Sequence, residues 1–244
     1  MTIRARPTVI VLAGIALSGA GVPPQIVPTI REPGAPNFSF PGNGTEGAAS
    51  SGSSGSSPSG TWVGAGPAPD ALSTLQSQSY GAAAISAAQN DGINPATLAA
   101  FGQVESHFAN VGNGTSSAQG VWQITQGTWD DTVSRYNLPY TEADRDDPTA
   151  QADVASHIIS EYATAVSKST GQPATSLQTY GAYMFGPTAG AAIASTSNTD
   201  APLSQFVSST ALKNNGMTGW TVGQYYQTMA QRMGSGASAT VYNA

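Results

Sequence analysis

The chain has 244 residues, enough for one main domain with appendages at ~100–200 residues per unit, and only 9% of them are charged. It has no cysteine, which excludes disulfides, thiolate nucleophiles and Cys-ligated zinc, and its two histidines, His107 and His157, are too few for a His-rich metal site. A formal charge of −6, a pI near 4.6 and the lack of any basic run leave no electrostatic footprint for nucleic acid, so a neutral polymer or a small ligand is the expected partner.

The N-terminus reads as an address. Arg4 and Arg6 precede an apolar run from Thr8 to Leu17 and the small residues Ser18-Gly19-Ala20, the layout of a secretory signal peptide over residues 1–20. The run is shorter than the ~20 apolar residues that span a bilayer, so no membrane span is expected after cleavage. The expected location is the periplasm or the cell-wall-associated extracellular space. Leu17–Ala20 also match a lipoprotein box except that Ala20 stands where the lipidated cysteine would be. Residues 21–78 read as a Pro/Gly/Ser-rich flexible linker, because neither proline-rich nor Gly/Ser sequence can bury a core. The Asn-x-Ser/Thr triplets at Asn37, Asn43 and Asn113 are read as chance matches if the host is bacterial.

Order is expected from residue 79 to residue 233, followed by a flexible tail over 234–244. SYGAAAISAAQNDG is Ala-rich helix material that stops at Gly92, a natural C-terminal cap. Asn94-Pro95 then supplies an N-cap and a proline at the first helical position, which predicts a helix from Pro95 to about Phe108. At ~100° per residue, Glu105 lies only ~20° around the axis from Leu98, on the face that also carries Phe101, Val104 and Phe108. A glutamate thus belongs to the buried side. Downstream, RDDPTAQADVA reads as a turn and helix start, and ADVASHIISEYATAV as an amphipathic helix in which His157 has a structural role.

After Phe108 comes a Gly/Ser/Asn-rich loop leading into Gly120-Val121-Trp122-Gln123 and then Thr128-Trp129. The ordered set of a helix ending in Glu-Ser, a polar loop and a Gly-x-x-Gln turn is more specific than any one match. It resembles the lysozyme-like lytic transglycosylases that cleave bacterial peptidoglycan. Glu105-Ser106 is similar to the family's Glu-Ser motif, Gly120-Val121-Trp122-Gln123 to its Gly-Leu-Met-Gln motif, and Ala182-Tyr183-Met184-Phe185-Gly186-Pro187 in part to its Ala-Tyr-Asn-x-Gly motif. YGAYMFGPTAGAAIA, ALKNNG and TVGQYYQTMAQRM look closest to the phage-type and exported muramidase branch. Two positions depart from the pattern: Met184 replaces the usual asparagine, and Thr125 stands where well-known members carry methionine.

The resemblance implies a mainly α, lysozyme-like domain of the goose-type lysozyme and soluble lytic transglycosylase kind, with a disordered N-terminal tether. The chemistry can be argued separately. Breaking a glycosidic bond requires protonating a poor leaving group, and a carboxylic acid does this at neutral pH only if desolvation lifts it above the ordinary ~4.3 of glutamate. Glu105, with apolar neighbours, is the candidate catalytic acid. Asp130 and Asp131 offer a second carboxylate, but are expected on a helix's first turn or exposed side. The resemblance implies instead a one-carboxylate route. In it Glu105 serves as both acid and base, cleavage falls between N-acetylmuramic acid and N-acetylglucosamine, and a 1,6-anhydro sugar forms without metal or cofactor.

Ser106, Gln123, Tyr183 and Trp122 are the expected substrate-binding residues. The resemblance implies that Gln123 and Tyr183 lie near the acid or the sugar, Trp122 is a candidate stacking surface alongside Trp129, and His107 points ~200° from Glu105 and is expected at the surface or behind the site. Two other readings stay open: a hydrolytic lysozyme with the same acid, and a catalytically silent peptidoglycan-binding or virion structural module, to which Met184 and Thr125 would be suited. Glycan strands of peptidoglycan are the expected partner, and envelope-spanning secretion or phage assembly machinery is the class of protein partner left open.

Overall fold

A computed structural model of the chain describes residues 70–114 and 116–242. The expected signal peptide and residues 21–69 of the expected linker lie outside these residues. Among the described residues the secondary structure is helical, with isolated β-bridges and no extended strand. No helix there is long and apolar enough to cross a membrane.

Helix α1 spans Ala71–Gln76 and lies within the stretch expected to be linker. Asp70 caps it by accepting from Leu72 N at 3.1 Å, and Ala71 and Leu75 are buried, so the ordered domain begins earlier than the composition suggested. Helix α2 is Gly81–Asn90, and Gly92 takes φ 71° beyond it, as the stop signal predicts. Helix α3, Pro95–Ser106, starts where the Asn94-Pro95 pair says it should, with Asn94 Oδ1 accepting from Ala96 N at 3.0 Å.

Its other end differs from expectation. The helix stops at Ser106, two residues early, and His107 and Phe108 both adopt left-handed backbone at φ 54° and 63°. Phe108 still reaches the core, but from outside the helix. Val104 is only half-buried while Thr97 through Gln103 are all buried, so α3 is enclosed on nearly every side rather than along one stripe.

Helix α4 is Gln126–Tyr136, and α5 is Pro148–Thr170, the long central element capped by Asp147, which accepts from Thr149 N at 2.8 Å. Ala150, Val154, Ile158, Tyr162 and Val166 recur every fourth residue on the buried face of α5, the pattern that lets one helix hold several others. Helices α6, Ser176–Phe185, and α7, Pro187–Ser195, form a tight pair against it. A Cβ added at Gly190 would lie 2.1 Å from Ala182 N, so the crossing depends on a glycine. Helices α8, Ser209–Asn214, and α9, Val222–Met233, complete the domain, and α9 packs on α3.

His157 ties α2 to α5: its Nδ1 lies 3.1 Å from Asp91 Oδ2 and 3.7 Å from Asp153 Oδ1. The Asp91 carboxylate raises the imidazole pKa above its ordinary value, against the opposing effect of burial.

The stretch expected as a flexible tail is packed over residues 234–242. Gly234–Ser238 forms a 3-10 turn against α3, and the chain then threads between two helix starts. Asn94 N donates to Val241 O at 2.7 Å, Val241 N to Ala174 O at 3.0 Å and Ser176 N to Ala239 O at 2.9 Å, while the Val241 side chain is fully buried. Tyr242 Oη donates to Ser160 O at 2.8 Å. The Gly/Ser/Ala composition concealed this, because the pairing partners lie far away in sequence.

Removing residues 239–244 should therefore destabilise the domain by about 3 kcal/mol, from lost burial of Val241 and unpaired backbone groups at the starts of α3 and α6. Thermal unfolding checks this, with a fall on the order of 10 °C in Tm expected. An unchanged Tm would mean that the segment does not dock.

Candidate active site

Glu105 sits on the last turn of α3, 5% exposed. Among the described residues it is the one buried carboxylate, every other Asp and Glu being half-buried or exposed. A charged group is almost never buried without partners, and here Tyr180 Oη, on α6, donates to Glu105 Oε1 at 2.6 Å. Phe101, one turn before Glu105, meets Tyr180 and Tyr183 edge-on, with ring centroids 5.2 and 4.9 Å away. The carboxylate therefore stands in an aromatic surround built from α3 and α6.

Tyr183 does not take the place expected for it. Its Oη donates to Trp122 O at 2.8 Å, and Tyr180, one turn earlier on α6, bonds Glu105 instead. Burial, with the Glu105 charge adding to it, pushes the Tyr183 phenol well above its usual pKa, so it stays a neutral donor. The i, i+3 spacing of Tyr180 and Tyr183 is the signal that could have revealed the second tyrosine, because side chains at that spacing share a helix face.

The loop from Ala109 to Thr125 is held by bonds that account for the rest of the motif residues. Ser106 Oγ donates to Val121 O at 2.8 Å, across to the loop rather than into its own helix. Trp122 is wholly buried with Nε1 donating to Leu98 O at 2.9 Å, so it packs beneath the loop and cannot stack on a sugar. Trp129 is likewise buried, on α4. Gln123 takes left-handed backbone at φ 47°, and its Nε2 donates to Gly120 O at 2.8 Å and Val111 O at 3.0 Å. Its amide protons are thus taken up in closing the turn. Thr125 is the N-cap of α4, accepting from Thr128 N.

Two residues that sequence reasoning passed over anchor this loop to α5 and to the turn before it. Gln151 Oε1 accepts from Val121 N at 2.7 Å, and its Nε2 donates to Asn110 Oδ1 at 2.9 Å and Arg145 O at 2.6 Å. Arg145, 6% exposed, donates through NH2 to Ser117 O at 2.5 Å and Ile124 O at 3.0 Å. A buried guanidinium thus satisfies loop carbonyls rather than a carboxylate. Gly120, at φ 86°, has to be glycine here, since a Cβ would fall 2.1 Å from Gln151 Oε1. No short-range signal marks Gln151 or Arg145 as loop anchors, because their partners in the loop lie 21 to 41 residues away.

Asp130 and Asp131 lie exposed on α4, and Asp131 pairs with Arg135, which also contacts Glu161 at 2.6 Å. His107 is exposed at the C-terminal cap of α3, and Met184 is half-buried against the core.

Comparison with known proteins gives this arrangement a family. The model of the transglycosylase SLT domain matches residues 82–205, about half of the chain. The solved X-ray structure of an inactive mutant of the lytic transglycosylase Slt from Pseudomonas aeruginosa is similar at a TM-score of 0.44 and 14% identity, over 66% of this chain and 26% of that one. The chain thus spans about a quarter of that protein's length. Comparison with curated proteins finds no match. With the family model running from α2 through Gln205 and taking in Glu105, the loop and both tyrosines, this chain belongs to the transglycosylase SLT domain family.

Proposed function

We propose that this protein is a peptidoglycan lytic transglycosylase that cleaves the β-1,4 bond between N-acetylmuramic acid and N-acetylglucosamine, with Glu105 as its single general acid and base. The observation that carries the reading is that Glu105 is the one buried carboxylate among the described residues, with a tyrosine hydroxyl on it at 2.6 Å. Glycosidases that use two carboxylates place them on either side of the scissile bond. Asp130 and Asp131, exposed and in part committed to Arg135, are unsuited to that second role.

In the one-carboxylate route Glu105 gives its proton to the bridging oxygen as the bond to the muramic C1 breaks. The substrate's acetamido group stabilises the cation. Glu105, now a carboxylate, takes the proton of the muramic C6 hydroxyl, whose oxygen closes on C1 to form the 1,6-anhydro ring. Tethered attack of this kind reaches effective molarities of ~10⁵ M or more, so no water need be held for the step. Tyr180 holds the carboxyl in place. Ser106, Gln123, Trp122 and Tyr183 support the site by fixing the loop behind Glu105. Export to the wall would rest on residues 1–20, with residues 21–69 as tether. Membership of the phage-type and exported muramidase branch belongs to the same proposal, supported by the YMFGPTAG wording of residues 183–190.

Zymography on embedded cell wall with protein from the secreted fraction tests the reading. Wild type should clear the wall, and Glu105→Gln should lose at least ~100-fold in rate, the scale of general acid–base catalysis. Product mass spectrometry should show anhydro ends; reducing ends would mean a hydrolytic lysozyme, and full activity in Glu105→Gln would remove the acid altogether.

Tyr180→Phe deletes one hydrogen bond to a buried carboxyl, of the ~1.5–3 kcal/mol class, and should lower kcat by about 10- to 100-fold with KM nearly unchanged. Tyr183→Phe, which frees only the Trp122 carbonyl, should affect kcat less. The reverse order would reinstate Tyr183 as the residue that acts on Glu105.

Gln151→Leu keeps the side-chain volume but leaves Val121 N without its acceptor, at about 1–3 kcal/mol. Faster hydrogen exchange at the Val121 amide, together with reduced wall clearing, is expected. Unchanged exchange would show that the loop is held by other contacts.

A further inference from the structure

Away from Glu105, three ligand-type side chains meet where the end of α2 lies against α5. Asp91 is the C-terminal cap of α2, and Asp153 and His157 stand one turn apart on α5. One donor atom from each lies within 4.8 Å of both others. His157 Nδ1 is 3.1 Å from Asp91 Oδ2 and 3.7 Å from Asp153 Oδ1. Around a tetrahedral zinc ion with bonds of ~2.0–2.2 Å, neighbouring ligand atoms stand about 3.3–3.6 Å apart, and the two measured separations bracket that spacing.

Further observations set this group apart from an ordinary ion pair. Asp91 Oδ2 is shielded from solvent and faces His157 Nδ1 at 3.1 Å, which also meets the Asp153 carbonyl at 3.0 Å; metal binding would require Nδ1 to give up its proton and that carbonyl contact. A shielded carboxylate oxygen calls for a positive partner, which a protonated His157 supplies in the absence of metal and a bound cation would supply in its place. Tyr140 Oη donates to Asp153 Oδ2 at 2.8 Å, which anchors that carboxylate by the oxygen that is not directed at His157. Ligating carboxylates are commonly oriented by such outer hydrogen bonds. The Tyr136 ring meets His157 edge-on with centroids 4.6 Å apart, fixing the imidazole plane. With His157 neutral, the group carries two negative charges.

We propose that Asp91, Asp153 and His157 form a divalent transition-metal site that clamps α2 to α5. One imidazole and two carboxylates suit Zn²⁺ better than Ca²⁺ or Mg²⁺, which prefer all-oxygen shells, and three protein ligands leave one position for water. The site is independent of the glycan chemistry and would give the structural role expected of His157 a metal-dependent form. The metal would stabilise the fold by binding the native state alone.

The chain's two histidines make the test direct. Full-length protein stripped by chelator and dialysed is titrated with Zn²⁺ while the imidazole ¹⁵N resonances are followed. One equivalent should move the His157 signals and leave those of His107 in place. By calorimetry, Asp91→Asn and Asp153→Asn should each weaken Zn²⁺ binding at least as much as the ~10- to 100-fold that loss of an outer partner costs, and Tyr140→Phe should fall within that range. Mg²⁺ at the same concentration should leave the His157 signals unmoved. Zn²⁺ that leaves His157 unmoved, shifts His107 instead, or binds the aspartate variants as tightly as wild type overturns the proposal. Should the aspartate variants fail to fold, the wild-type His157 response alone decides it.

Discussion

A carboxylate at the end of a helix that is buried on nearly every side has to be met by donors inside the protein, and the architecture around α3 follows from that need. Glu105 is only 5% exposed, and the helix that carries it is packed against α1, α9 and the C-terminal turn as well as α6. Tyr180 therefore has to stand on the facing turn of α6, and α6 has to lie close enough for a 2.6 Å bond. The close α6–α7 crossing over Gly190 and the grip of α5 on both helices keep it there. A buried charge destabilises a fold unless it is well paired.

The loop behind Glu105 shows a related trade. Loops normally run over the surface, where water satisfies their backbone. This one and the cap of α3 that leads into it carry three non-glycine residues with left-handed backbone, His107 and Phe108 at the cap and Gln123 in the loop, each at a cost of about 1–3 kcal/mol. Side chains replace water as its partners: Gln151 takes the Val121 N–H, Arg145 takes the carbonyls of Ser117 and Ile124, and Gln123 closes its own turn. Such over-determination lets strained residues persist, and it makes the wall behind Glu105 rigid. Rigid support matters at a site where displacement of a reacting group by an ångström costs rate steeply.

The departures from the family pattern take on a local explanation. Thr125 caps α4, a role its hydroxyl can fill and a methionine cannot. Met184 is half-buried against the core and leaves the neighbouring tyrosines to make the polar contacts of α6.

The sequence by itself determined what depends on near neighbours. Asn94-Pro95, Asp147-Pro148 and Gly92 set helix boundaries through caps and proline geometry, which act within a turn of the residue that causes them. The apolar neighbourhood of Glu105 likewise marked the proposed acid, and the ordered motifs marked the loop and the tyrosine helix. What only the tertiary structure decided were bonds between residues far apart along the chain. Tyr180 rather than Tyr183 reaches Glu105 across 75 positions, Gln151 and Arg145 hold a loop to which no periodicity connects them, and Trp122 and Gln123 are buried with their side-chain N–H groups on backbone carbonyls. The docked residues 239–242 and the early start at α1 belong with these. Composition reports whether a segment can bury a core of its own, but a short segment that docks into a core built by others gains its order from backbone pairing, and that pairing leaves no mark on the segment's own residues.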